Sequence, residues 1–139
     1  MDVLFINPGN SKQIYQGLAD DYSAIETPTW SLLLAQSCRS VGYSVGILDM
    51  LAEKLTDEEA VKRIADIGPK LVCFVVYGQN PNSGTVNMSG TVKLAKAIKE
   101  ARIEIPIGLI GSHVQALPIE VLEAEKDIDI IFTNEGVYA

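Results

Sequence analysis

Histidine is almost absent from this sequence. One stands at position 113 of 139 residues, and cysteine occurs only twice, at Cys38 and Cys73. Neither cysteine belongs to a CxxC pair, so the chain offers no ligand set for a structural zinc or an iron–sulfur cluster. Both thiols are read as small apolar residues buried in the core. No serine or cysteine has a histidine at a motif spacing, which leaves nucleophilic catalysis without support. Basic residues are also scarce: 11 Lys and Arg against 18 Asp and Glu give a net charge of −7. Thinly spread cations make no phosphate-binding patch, so nucleic acid is not expected as a partner. Apolar runs such as Leu71–Tyr77 fall far short of the ~20 residues that span a bilayer. No basic segment followed by an apolar stretch opens the chain as a secretion signal would. The expectation is a cytoplasmic domain with no membrane partner.

What the sequence does contain is alternation of strand and helix signals, in a length suited to one domain. Asp2–Asn7 is nearly all apolar and ends at Pro8-Gly9. A continuous run of this kind predicts a strand covered on both faces. About twenty polar residues without a clear period follow, from Pro8 to Thr27. A loop that long tends to be functional or disordered. Thr27-Pro28 opens a helix carrying Leu32, Leu33, Ala35, Gln36 and Cys38, closed by Gly42. Ser44–Leu48 is the second strand. Thr56-Asp57-Glu58-Glu59 is a capping box, and Val61, Ile64, Ala65 and Ile67 give the following helix its buried face before Gly68-Pro69. Leu71–Val76 is the third strand. A helix over Thr85–Ala101 follows, with Val92, Leu94, Ala95 and Ile98 inward. Pro106–Ile110 is the fourth strand, Pro118 begins a short helix through Val121 and Leu122, and Asp129–Phe132 is the fifth strand.

Five strands alternating with helices predict an α/β domain: an open, flavodoxin-like or Rossmann-like parallel sheet of order 2-1-3-4-5, with helices on both faces. Ligands of such sheets bind outside the carboxyl ends of the strands, where strand order reverses, here between strands one and three. The loops on that edge are Asn7–Thr27, Tyr77–Gly84, Gly111-Ser112-His113 and Asn134-Glu135-Gly136. Glycine lets a backbone approach a ligand, and small polar side chains bond adaptably, although turns favour the same residues. His113 could hydrogen-bond a ligand or titrate near neutrality. The GxGxxG dinucleotide fingerprint and the GxxxxGK[ST] phosphate loop are absent, since Pro8-Gly9-Asn10-Ser11 follows strand one. A phospho-receiver aspartate is also missing, because Tyr77-Gly78 ends strand three.

Read together, these segments resemble the cobalamin-binding domain at the N-terminus of B12-dependent radical SAM enzymes. The resemblance covers nearly the whole chain and is carried by order and spacing. It begins at Val3–Pro8 and continues through Thr27-Pro28 to Leu32-Leu33-Leu34-Ala35 and Gly42–Val45. Val76–Pro81 to Asn87-Met88 follows, and then Gly111-Ser112-His113, Leu117–Leu122, Asp127–Asp129 and Asn134-Glu135-Gly136. It implies cobalamin held across the carboxyl edge, with the nucleotide tail between strands one, three and four. The implied cofactor-binding residues are Asn7, Pro8 and Thr27 around the first loop, and Tyr77, Gly78, Gln79 and Asn80 after strand three. Gly111, Ser112 and His113 after strand four join them, with Glu135 and Gly136 in the last turn.

Three departures from the pattern matter. The Asp-x-His-x-x-Gly sequence that coordinates cobalt in many B12 domains is missing after strand one, as is common in the radical SAM members. Ser112 stands for the second glycine of the usual pair, and Asn134 for the first glycine of the last turn. The chain also lacks the three close cysteines of a radical SAM module. S-adenosylmethionine and a [4Fe-4S] cluster would then belong to another part of a longer polypeptide, whose radical SAM domain would be this domain's partner. The end of the chain just after strand five, without a covering helix, fits that expectation. The implied function is to hold base-off cobalamin without a histidine ligand, for methyl transfer or related radical chemistry. The alternatives are a flavin or nucleotide site at the same edge, or a docking scaffold.

Overall fold

Apolar residues at every position of a strand leave no face for water, and the strands of this protein are arranged accordingly. A computed structural model describes residues 1–9, 27–77 and 81–134, with the backbone alone at 81–86. The strands are β1 (Val3–Asn7), β2 (Val45–Asp49), β3 (Leu71–Val76), β4 (Ile107–Gly111) and β5 (Ile130–Phe132). All neighbours pair in parallel, in the order β2-β1-β3-β4-β5. The sheet order and fold class predicted from the sequence are those observed.

Successive side chains of each strand point to opposite faces, which divides the core in two. Leu4, Ile6, Val72, Phe74, Ile107 and Leu109 face α2 (Asp57–Ile67) and α3 (Pro81–Glu100). Phe5, Cys73, Val75 and Ile110 face α1 (Thr29–Ser40), meeting Leu34 and Ala35. Two short helices, α4 (Ser112–Ala116) and α5 (Pro118–Ala124), follow β4 and add Val114 and Val121 to the first face.

α2 begins and ends as its sequence dictates. The Thr56 hydroxyl accepts from the Glu59 N–H at 3.2 Å, and the Glu59 carboxylate accepts from the Thr56 N–H at 2.9 Å. Gly68 closes the helix in the left-handed region, at φ 56°, where a side chain would be strained.

Three expectations need correction. Ala65 is exposed, and Ala60 takes its place against the core, because the buried stripe runs through positions 60 and 64. In α1, whose inward face the sequence leaves unassigned, Ser31, Leu34 and Ala35 face the sheet and Leu32 and Leu33 are exposed. α3 starts at Pro81 rather than Thr85, since proline suits a first turn. Cys73 is buried as expected, but Cys38 is only half-buried at the C-terminal end of α1.

Candidate cofactor-binding site

The carboxyl edge is built from the strand ends upward. Asn7 and Asp49 are register partners at the ends of β1 and β2. The Asn7 amide donates to Asp49 Oδ1 at 3.1 Å, and the same oxygen accepts from the N–H groups of Leu51 and Ala52 at 3.2 and 3.1 Å. Asp49 is thus buried yet satisfied, as a carboxylate away from water must be. Asn7 serves to pin this corner of the edge. Pro8 is buried beside it, and Thr27 is exposed at the entry to α1, its carbonyl accepting from the Thr29 N–H at 2.7 Å.

At the switch point between β1 and β3 an aromatic pair spans the gap. Trp30, in the first turn of α1, stacks on Tyr77, the residue after β3, with ring centroids 4.3 Å apart and planes inclined by 19°. Gln115 Nε2, on α4, donates to the Tyr77 hydroxyl at 2.9 Å and to the Asn134 carbonyl at 2.8 Å. One chain of contacts therefore links α1, the end of β3, α4 and the segment after β5.

Gly111 is the tightest point of the edge. A Cβ there would lie 2.2 Å from the Val76 carbonyl oxygen and 2.6 Å from its carbon, so only glycine allows β3 and β4 to meet this closely. Ser112 and His113, expected in a loop, instead form the first turn of α4. The packing of Val114 into the core drives that turn. His113 lines an open cleft of about 530 Å³ with Met88, Val92, Lys93, Leu117 and Val121, between α3 and α5 on the face opposite α1. Gly78, Gln79, Asn80, Glu135 and Gly136 lie outside the described residues.

Two features of the edge escaped the sequence reading. Ser31 is 1% exposed, and its hydroxyl has no hydrogen-bond partner among the described residues. It sits in the first turn of a helix whose Pro28 supplies no side-chain cap. A buried polar atom without a partner costs free energy, and bound ligands are one way such groups are met. The second is the outer edge of the α1 face: β4 is buried along its whole length, whereas on β5 Phe132 is half-buried and Ile130 39% exposed. Neither feature had a motif to announce it, because both depend on which helix residues turn inward.

Among the described residues no group of three or more His, Cys, Asp or Glu is placed to hold a metal ion. None of the described helices is long and apolar enough to cross a membrane. Burial pushes the Cys73 thiol up to about 12, with the Cys38 thiol adding to the shift, and burial also raises Cys38.

A parallel sheet of this order, with a glycine wedged at the end of β4 and an aromatic pair at its switch point, defines a flavodoxin-like ligand-binding domain. The family model for the B12 binding domain matches residues 15–139, and the chain belongs to that family. Two solved structures of the radical S-adenosylmethionine methyltransferase TsrM from Kitasatospora setae share the fold. One, with tryptophan substrate and the SAM analog aza-SAM bound, gives a TM-score of 0.63 at 17% identity over 89% of this chain and 22% of that one. The other, with cobalamin and a [4Fe-4S] cluster bound, gives 0.63 at 19% identity over 91% of this chain and 21% of that one. The present chain thus spans about a fifth of the length of those TsrM chains. Among curated proteins none matches the sequence. The family resemblance read from the sequence is borne out.

Proposed function

We propose that this domain holds base-off cobalamin at its carboxyl edge, with no histidine ligand to cobalt, in the service of a radical SAM domain of the same polypeptide. The observation that carries the reading is the form of the edge on the α1 side. The Trp30–Tyr77 pair stands at the switch point, and Ile130 and Phe132 leave apolar surface on β5 at the outer edge of the same face. A long, partly apolar tail needs apolar surface along the strand ends, and a corrin needs a flat edge above it.

The residues present fit the group. Gly111 keeps the junction of β3 and β4 free of side chains, and the Ser31 hydroxyl, without a partner among the described residues, offers a hydrogen bond from the first turn of α1. Asn7 and Asp49 hold the corner on the β2 side, and Gln115 fixes the Tyr77 hydroxyl on the other. Residues 7–27 contain no histidine, and the one imidazole of the chain lines the cleft on the opposite face. Bound cobalamin supplies a cobalt centre that accepts and donates a methyl group, and the protein's share is to bind and orient it. S-adenosylmethionine and the [4Fe-4S] cluster would be held elsewhere in the polypeptide, a reading supported by the small share of TsrM that this chain spans.

The test is the visible and EPR spectrum of the 139-residue chain with hydroxocobalamin under reducing conditions. A saturable shift to the base-off spectrum, with no nitrogen splitting of the cobalt(II) signal, is expected. Nitrogen splitting would overturn the histidine-free assignment. Saturable binding of FMN or AMP in place of cobalamin would favour a flavin or nucleotide site.

A further inference from the structure

The chain contains one tryptophan, and its position is unusual for so large an apolar ring. Trp30 is 36% exposed although one of its faces is committed to Tyr77. It is joined to the edge from both sides: by its own place in the first turn of α1, and through Tyr77 to the end of β3. Tyr77 is in turn tied by its hydroxyl to Gln115, which also holds the Asn134 carbonyl. A ring stacked on one side and still more than a third exposed is suited to stack a planar base, because every heteroaromatic base has a π face to offer. Leu33, 50% exposed and one turn further along α1, lies on the same flank and extends the apolar surface away from the edge.

We infer that Trp30 determines corrinoid specificity by stacking the planar heteroaromatic base of the cofactor's nucleotide tail. The inference rests on the cobalamin reading and adds to it. Corrin binding at the edge needs strand ends drawn close together, which Gly111 allows for β3 and β4. Discrimination among corrinoids by their lower base needs a group that touches the base, and Trp30 supplies one at the switch point. Preference should then follow the presence of an aromatic base and not the corrin ring.

The experiment compares hydroxocobalamin with aquocyanocobinamide, which has the corrin but no nucleotide, on the wild-type chain, Trp30→Leu and Trp30→Phe. Wild type is expected to bind cobalamin about tenfold or more tightly than cobinamide. Trp30→Leu is expected to lose most of that preference by weakening cobalamin alone. Trp30→Phe keeps a ring on Tyr77 and is expected to retain a good part of it. Circular dichroism establishes that each variant is folded. Equal weakening of both corrinoids by Trp30→Leu, or an unchanged preference, would overturn the role of Trp30 while leaving cobalamin binding intact. Failure of the wild type to bind either corrinoid would overturn the cobalamin reading and this inference with it.

Discussion

Gly111 shows how much one hydrogen atom can decide. Its α-carbon is so near the Val76 carbonyl that a methyl group would sit 2.2 Å from the oxygen. The neighbour is backbone in the middle of the sheet, so it cannot swing aside as a side-chain tip would. Gly111→Ala is therefore expected to lower unfolding stability by roughly 2 kcal/mol or more, at the upper part of the overpacking range. Urea denaturation would measure it, and a loss within experimental scatter would show that β3 and β4 separate more easily than the packing implies. Cys73 makes a second residue-scale case. Its thiol is pushed up to about 12 by burial, so the reactive thiolate is essentially absent at neutral pH. Alkylation by iodoacetamide at pH 8 should label Cys73 only at the rate of unfolding, and fast labelling of the native protein would contradict its burial. Cys73 was legible as an apolar residue inside an apolar strand, and Gly111 as a small residue of the ligand edge, though not for its contact with the Val76 backbone. Ser31 and Gln115 were not. A serine in a helix and a glutamine beyond a histidine carry no pattern, and their meaning comes from partners, or a missing partner, distant in sequence.

Elements carry the next layer. β4 and β5 are held together by Asp129 as well as by their ladder: its carboxylate accepts from the Ile107 N–H at 2.8 Å and from Lys99 Nζ at 2.9 Å. Partial burial opposes ionisation of Asp129, but these two donors outweigh it and hold its carboxyl below the ordinary aspartate range. A depressed carboxylate adds stability that is complete well above pH ~4, the ordinary aspartate value, and fades as the pH falls below it. Asp129→Asn should accordingly destabilise the protein at pH 7 and make little difference near pH 3, as read by urea midpoints at the two values. An equal effect at both would mean that the carboxylate charge plays no part. Gln115 acts at the same scale, since it joins α4, the end of β3 and the segment after β5. Gln115→Ala removes two hydrogen bonds and is expected to cost about 1 kcal/mol of stability, together with a several-fold loss of cobalamin affinity by calorimetry. Unchanged affinity would show that Tyr77 does not need fixing.

Strand identity was the most readable part of the elements, because continuous apolar runs bounded by glycine and proline have few other outcomes. Helix starts were less so. The Thr56 box located α2 to the residue, whereas α3 begins four residues before its expected start and α4 was read as a loop. Single-turn helices such as Ser112–Ala116 are too short for a period to show.

For the whole molecule the important feature is its two unequal faces. α2, α3, α4 and α5 pack over one, with Lys93 and Asp57 paired at 2.6 Å between α3 and α2. α1 covers the β2–β1 side of the other, and at its far edge β5 keeps Ile130 39% exposed and Phe132 half-buried. That asymmetry meets the switch point at Trp30 and Tyr77, which is where the account puts the cofactor. The sheet order, and hence the edge, followed from strand count and connection handedness. The exposure left on β5 did not, because it depends on how far the rest of the chain reaches across the sheet. Equilibrium dialysis of the 139-residue chain against hydroxocobalamin tests the central claim most directly. The account predicts saturable retention of one cobalamin per chain, whereas no retention at high micromolar cofactor by a chain that circular dichroism shows to be folded would contradict it.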